Sequence, residues 1–170
     1  MRIHRIALKD FRGVEELDVT FDPAGVTVVE GRNEIGKTSL ADAFIFLLDK
    51  KDSAGDRDIK ATQPIGRDVG PFAEAELTVG PYRLVYRKQW LKGKKTELEI
   101  TVPKAEQHVG EPAHNRMLEI LAAETDPALF RALRYQQGVA ISQAALEQAP
   151  SLADALDAAA GGTGWLCWRD

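Results

Sequence analysis

Gly31-Arg32-Asn33-Glu34-Ile35-Gly36-Lys37-Thr38 is the stretch on which the reading of this chain turns. It matches in full the Gly-x-x-x-x-Gly-Lys-Ser/Thr pattern of a phosphate-binding loop. The residue types suit the chemistry. Glycines let the backbone bend until successive N–H groups face one phosphate, and the following helix adds the positive end of its dipole. Lys37 is placed to reach the outer phosphates, and Thr38 to offer its hydroxyl to magnesium. The flanks agree with the loop. Val26-Thr27-Val28-Val29 reads as a short buried strand, and Leu40, Ala41, Phe44, Leu47 and Leu48 recur at helical spacing. Strand, loop and helix in that order predict an α/β nucleotide-binding domain, not a glycine turn capping an ordinary helix.

The chain has 170 residues, 44% hydrophobic and 28% charged, which is enough for one domain with a real core. Its net charge of −4 makes no global case for nucleic acid, so any such contact has to be local. The single cysteine, Cys167, excludes an intramolecular disulfide and fits a reducing compartment. Met1-Arg2-Ile3-His4-Arg5 lacks the apolar core of a signal peptide, and no apolar run reaches membrane-spanning length. A cytoplasmic protein without membrane contact is expected.

Ahead of the loop, Ile3 to Leu8 reads as a first strand and Lys9-Asp10-Phe11-Arg12-Gly13 as a turn. Leu17, Val19 and Phe21 then alternate with Asp18, Thr20 and Asp22 as a half-buried strand. A short N-terminal strand ending in Lys-Asp-Phe-Arg-Gly, a hairpin, then Gly-x-Asn-x-x-Gly-Lys-Thr-Ser resembles the start of the SMC, RecF and SbcC-type ATPases. These are ABC-like DNA-repair and chromosome-maintenance proteins. The resemblance implies a P-loop NTPase fold, the N-terminal lobe of an ABC-like head, binding ATP and Mg2+. It implies that Arg12 and Asn33 face the nucleotide phosphates, within a binding stretch of Gly31, Asn33, Glu34, Ile35, Gly36, Lys37, Thr38 and Ser39. Read alone, Arg12 is equally a solvated turn residue. Glu34 and Ile35 stand where small residues are common in the clan, a form that looks like a subset including SbcC-like and OLD-type proteins.

Lys50 to Gly70 is charged and rich in turn formers, and reads as a long surface connection. Phe44-Ile45-Phe46-Leu47-Leu48-Asp49 imitates a Walker B motif, but continues from Lys37 with helical periodicity and is assigned to the helix. An antiparallel meander follows. Ala73, Ala75, Leu77 and Val79 alternate with Glu74, Glu76 and Thr78; Tyr82 to Arg87 returns; Leu98, Ile100 and Val102 alternate with Glu97, Glu99 and Thr101. Arg83 and Arg87 are expected to pair across strands with these glutamates. The tip, with Lys88, Trp90, Lys92, Lys94 and Lys95, reads either as a solvated turn, the preferred reading, or as a contact to the phosphates of double-stranded DNA.

Beyond it, Asn115 to Glu124 and Pro127 to Arg134 turn helical, with Met117, Leu118 and Leu121 as the apolar stripe. Gln136-Gln137-Gly138 is locally no more than a polar turn; its place in the order resembles the Q-loop of SbcC-type ATPases, which implies that Gln137 contacts magnesium and the attacking water. An Ala-rich helical segment covers Leu146 to Ala160. Residues 1–160 are therefore expected to form the family lobe and 161–170 a tail unlike it, with Trp165 and Trp168 uncovered.

Catalysis in this clan needs a Walker B aspartate, an adjacent glutamate and a Leu-Ser-Gly-Gly signature supplied by a second head, and none of these occurs in the 170 residues. A truncated, split or fragmentary ATPase is expected, with Lys37 and Gln137 as its catalytic residues. Its expected partners are a C-terminal lobe or second ATPase head, and an SbcD-type nuclease. A non-catalytic nucleotide-binding module is the other reading.

Overall fold

The computed structural model describes residues 1–22, 27–30 and 36–125. Met1–Glu124 forms one compact unit, to which the description below is confined. Six strands make a single antiparallel sheet: β1 (Arg2–Phe11), β2 (Val14–Thr20), β3 (Phe72–Val79), β4 (Tyr82–Gln89), β5 (Lys95–Val102) and β6 (Glu106–Val109). Their spatial order is β2-β1-β3-β4-β5-β6. Helices α1 (Lys37–Asp49) and α3 (Glu111–Glu124) cover one face, and a short α2 (Arg57–Lys60) lies between α1 and β3.

Alternation builds the sheet as expected. Ala73, Ala75, Leu77 and Val79 on β3, Leu84 and Tyr86 on β4, and Leu98 and Ile100 on β5 are all fully buried on the helix-covered face. The opposite face is charged, and its charges interlock across five strands. Arg5 of β1 bonds Asp18 of β2 (Nη2 to Oδ2, 2.6 Å) and Glu74 of β3, while Arg87 of β4 bonds Glu74 and reaches Glu99 of β5 at 3.4 Å. Arg83 pairs with Glu76 at 2.6 Å. The expected cross-strand pairing of Arg83 and Arg87 is what the structure contains.

The first helix buries Leu40, Ala43, Phe44, Leu47 and Leu48, the i, i+3, i+4, i+7, i+8 stripe of a helix packed on a sheet. The run that imitates Walker B therefore belongs to α1. In α3 the buried residues are Ala113, His114, Met117 and Ile120, whereas Leu118 is 44% exposed. The stripe is thus rotated from the one read off Met117, Leu118 and Leu121, because the helix begins at Glu111 and turns His114 inward.

Three other expectations change. Residues 27–30 are exposed and belong to no strand, with Val28 69% and Val29 42% accessible. A strand buried on both faces needs neighbours at both edges, and among the described residues no strand pairs with this one. The 50–70 connection is not purely superficial: Asp56 caps α2 by accepting from Ile59 N–H at 3.0 Å, and Ile59 and Thr62 are fully buried. Finally, β1 runs on to Phe11, so the first turn shrinks to Arg12-Gly13, closed by the pair Phe11 and Val14.

Candidate functional site

The start of α1 carries the part of the phosphate-binding stretch that the structure describes. Gly36 has φ 103°, a backbone that only glycine adopts without strain. It is also crowded: a Cβ there would stand 2.5 Å from Val14 Cγ2. Glycine is thus needed at Gly36 twice over, for its dihedral and for the close passage of the β1–β2 turn. Leu40 N–H bonds Gly36 O at 2.9 Å, the first bond inside the helix. The first turn holds no acidic side chain. Lys37 is half-buried, Thr38 is exposed and Ser39 is buried. Gly31, Asn33, Glu34, Ile35 and Gln137 lie outside the described residues.

The structure brings Arg12 to this helix. Its backbone is left-handed, with φ 55°, and is held by its own N–H donating to Thr62 O at 2.6 Å. A non-glycine residue in that region costs about 1–3 kcal/mol and persists where its surroundings over-determine it; Thr62, buried below α2, supplies that constraint. The guanidinium Nη1 donates to Asp42 Oδ2 of α1 at 2.6 Å, and its Cζ lies 5.8 Å from the centroid of the Phe11 ring. Arg12 is therefore docked on the loop's own helix and is not a freely solvated turn residue. Beside it opens a cleft of about 460 Å³, lined by Arg12, Gly13, Val14, Glu15, Gln63 and Arg67 among others. Val14 and Arg12, which line this cleft, also touch the cap of α1 and its Asp42, while no residue of α1 lines the cleft itself.

These groups fit a magnesium nucleotide. The crowded left-handed glycine, Lys37 and the N-terminus of α1 together suit anionic oxygens, and Arg12 adds a second cation. Among the described residues no cluster of His, Cys, Asp and Glu could hold a metal by itself. Magnesium would be held by Thr38 together with the phosphates, the mode usual for this ion.

At the far end of α1 the structure contains something the sequence reading missed. Lys88 is not part of a basic tip; it is fully buried. Its Nζ donates to Leu47 O at 2.7 Å, to Lys50 O at 2.6 Å and to His114 Nδ1 at 3.1 Å, and lies 4.9 Å from the centroid of the Tyr86 ring. When Lys88 is protonated its ammonium can only donate, which makes Nδ1 the acceptor and puts the His114 proton on Nε2. The Tyr86 hydroxyl lies 3.1 Å from the same Nδ1. Burial lowers the Lys88 ammonium to about 7 against the pull of Asp52 and Asp49. Burial, then Lys88 and Lys51, push His114 down to about 4, and burial raises the Tyr86 phenol.

Trp90 is also fully buried, donating Nε1–H to Lys51 O at 3.1 Å and packing edge-on against Phe11 with ring centroids 6.5 Å apart. Lys92 pairs with Asp68 and Lys95 with Glu97, both at 2.8 Å. Trp90 is not available for stacking on DNA and Lys88 not for a phosphate, because the ring faces the core and the lysine is consumed by α1. Strand parity held the signal. Leu84, Tyr86, Lys88 and Trp90 share one parity, and it is the inward one.

Fold and site together define a P-loop NTPase with the antiparallel sheet of an ABC-like head. A family model described as an AAA ATPase domain matches residues 1–124. The chain belongs to that family. Uncharacterized protein Rv1278 of Mycobacterium tuberculosis is 42% identical over 161 residues, which cover 95% of this chain and 18% of that protein. The DNA replication and repair protein RecF of Chloroflexus aggregans is 28% identical over 184 residues, 88% of this chain and 47% of RecF. The chain thus spans less than half the length of either relative. Among solved structures, a chain described under the ATP-driven dimerization and DNA-stimulated activation of SMC ATPases superposes with a TM-score of 0.58 at 15% identity. That match covers 92% of this chain and 97% of the other, and it establishes a shared fold.

Proposed function

We propose that this chain is the Mg-ATP-binding N-terminal lobe of an SbcC-type ATPase acting in DNA double-strand break repair. ATP binds through Gly31, Asn33, Glu34, Ile35, Gly36, Lys37, Thr38 and Ser39. Arg12 joins from the β1–β2 turn, and Gln137 provides for metal and water. The observation that carries the reading is the docking of Arg12 on α1 through Asp42, at 2.6 Å, with Val14 across the same turn packed against the left-handed Gly36. A guanidinium from a separate element is thereby brought onto the helix that Lys37 opens, an arrangement suited to a polyphosphate. On this reading residues 1–160 form the lobe, and a C-terminal lobe or second head completes the active site. DNA and an SbcD-type nuclease are the further partners.

A RecF-type ATPase is the second reading, favoured by the RecF relative aligned over 88% of the chain. Both readings require nucleotide binding. Lys37→Ala is expected to abolish binding of a non-hydrolysable ATP analogue in calorimetry while circular dichroism stays that of the parent. Unchanged affinity in the folded variant would remove the foundation of both.

A further inference from the structure

We propose that the buried Lys88–His114 joint couples the two ends of α1, so that occupancy of the nucleotide site at its N-terminus is transmitted to α3. The proposal rests on the nucleotide reading above and adds to it a route of regulation. Three elements meet at one nitrogen. The last carbonyls of α1 and the residue just after it, Leu47 O and Lys50 O, accept from Lys88 Nζ, and the third acceptor is His114 Nδ1 on α3. Three acceptors match the three N–H groups of an ammonium, and the C-terminal end of a helix dipole favours a cation.

The arrangement is costly to deform. A buried ammonium that loses an acceptor has no water to replace it. The end of α1 therefore cannot shift against α3 without orphaning one of these bonds. A second clasp reinforces the first: Lys51 Nζ bonds Glu111 Oε1 at 2.7 Å, and Trp90 Nε1 holds Lys51 O at 3.1 Å. A hydrophobic residue at Lys88 would pack on Tyr86 without any such dependence on where α1 and α3 stand. What the lysine adds is a directional tie between the two helices. The helix between the site and the joint is a rod of 13 residues, about 20 Å long. A displacement or tightening at Lys37 and Thr38 is carried along it, and arrives where His114 is bound. By linkage the coupling is reciprocal, so loosening the joint lowers nucleotide affinity.

The test uses the full chain with a non-hydrolysable ATP analogue and Mg2+. In the parent protein the analogue should slow amide hydrogen exchange in residues 111–124. Lys88→Met keeps the stem and removes the donors; His114→Leu removes the acceptor; His114→Asn restores an acceptor near the Nδ1 position. Lys88→Met and His114→Leu should each lose the analogue-induced protection of α3 and bind it about fivefold or more weakly. His114→Asn should recover both, a rescue that a merely space-filling role would not produce. Should Lys88→Met fail to fold, the two His114 variants decide. Analogue binding that depends on Lys37 but leaves α3 exchange unchanged would overturn the coupling while sparing the nucleotide reading. Equal behaviour of His114→Leu and His114→Asn would overturn it too. Absence of analogue binding to the parent would sink the nucleotide reading, and the coupling with it.

Discussion

Gly36 shows how one position can serve the fold and the site at once. Its left-handed backbone starts α1 at the correct angle, and the missing side chain lets Val14 approach the helix cap. Gly36→Ala therefore meets two separate penalties. The dihedral costs about 1–2 kcal/mol for a residue with a Cβ, and the contact with Val14 adds a packing strain of about 1–3 kcal/mol. A double-mutant cycle separates them. Val14→Ala in the Gly36→Ala background is expected to return part of the packing cost and none of the dihedral cost, as read by urea denaturation. Full recovery of stability in the double variant would show that the positive φ is not a constraint. Lys88 is the opposite case: a residue whose type reads as surface, held inside because three acceptors converge on it.

Among elements, the β4–β5 connection is the most instructive. Residues Lys88 to Lys95 read as a basic tip, yet strand parity carries Lys88 and Trp90 to the inner face, and the remaining lysines meet Asp68 and Glu97. These surface pairs are worth at most about 1 kcal/mol each, and they set an acid beside Lys92 and Lys95. Neutralising Lys92, Lys94 and Lys95 together is expected to leave the salt dependence of any duplex binding unchanged. A fall in the logarithmic slope by about one per lysine would restore them as phosphate contacts. The outer sheet face tells the same story at larger scale. Arg5, Glu74 and Arg87 are laid in alternation between Asp18 and Glu99, so the face is neutralised by its own cross-strand neighbours.

Taken whole, the chain carries a complete phosphate-loop motif. A phosphate-binding loop supplies contacts present equally in the bound and transition states, and uniform binding does not lower the chemical barrier. Transfer to water also needs a placed water, a held metal and stabilisation of developing charge. The apolar-Asp-Glu and Leu-Ser-Gly-Gly motifs that serve these needs in the ABC-like clan do not occur in the 170 residues. Purified, monodisperse chain is therefore expected to bind ATP without sustained phosphate release, with Lys37→Ala as the control for contaminating activity. Turnover that disappears in that variant would reveal a complete active site within this chain.

What the sequence determined by itself was governed by local periodicity. The stripe of α1, the inward set of β3 to β5 and the pairing of Arg83 and Arg87 follow from spacings of two or of three and four. Tertiary structure alone decided what depends on partners far along the chain. Residues 27–30 have the composition of a buried strand, but burial requires neighbours, and the described sheet supplies none. Arg12 is held on α1 through Asp42 and by Thr62, 30 and 50 positions away. Lys88 became an internal tie because Leu47, Lys50 and His114 present acceptors where strand parity points its side chain. Alternation says which side of a sheet a residue faces; only the packed helices say whether a charge can live there.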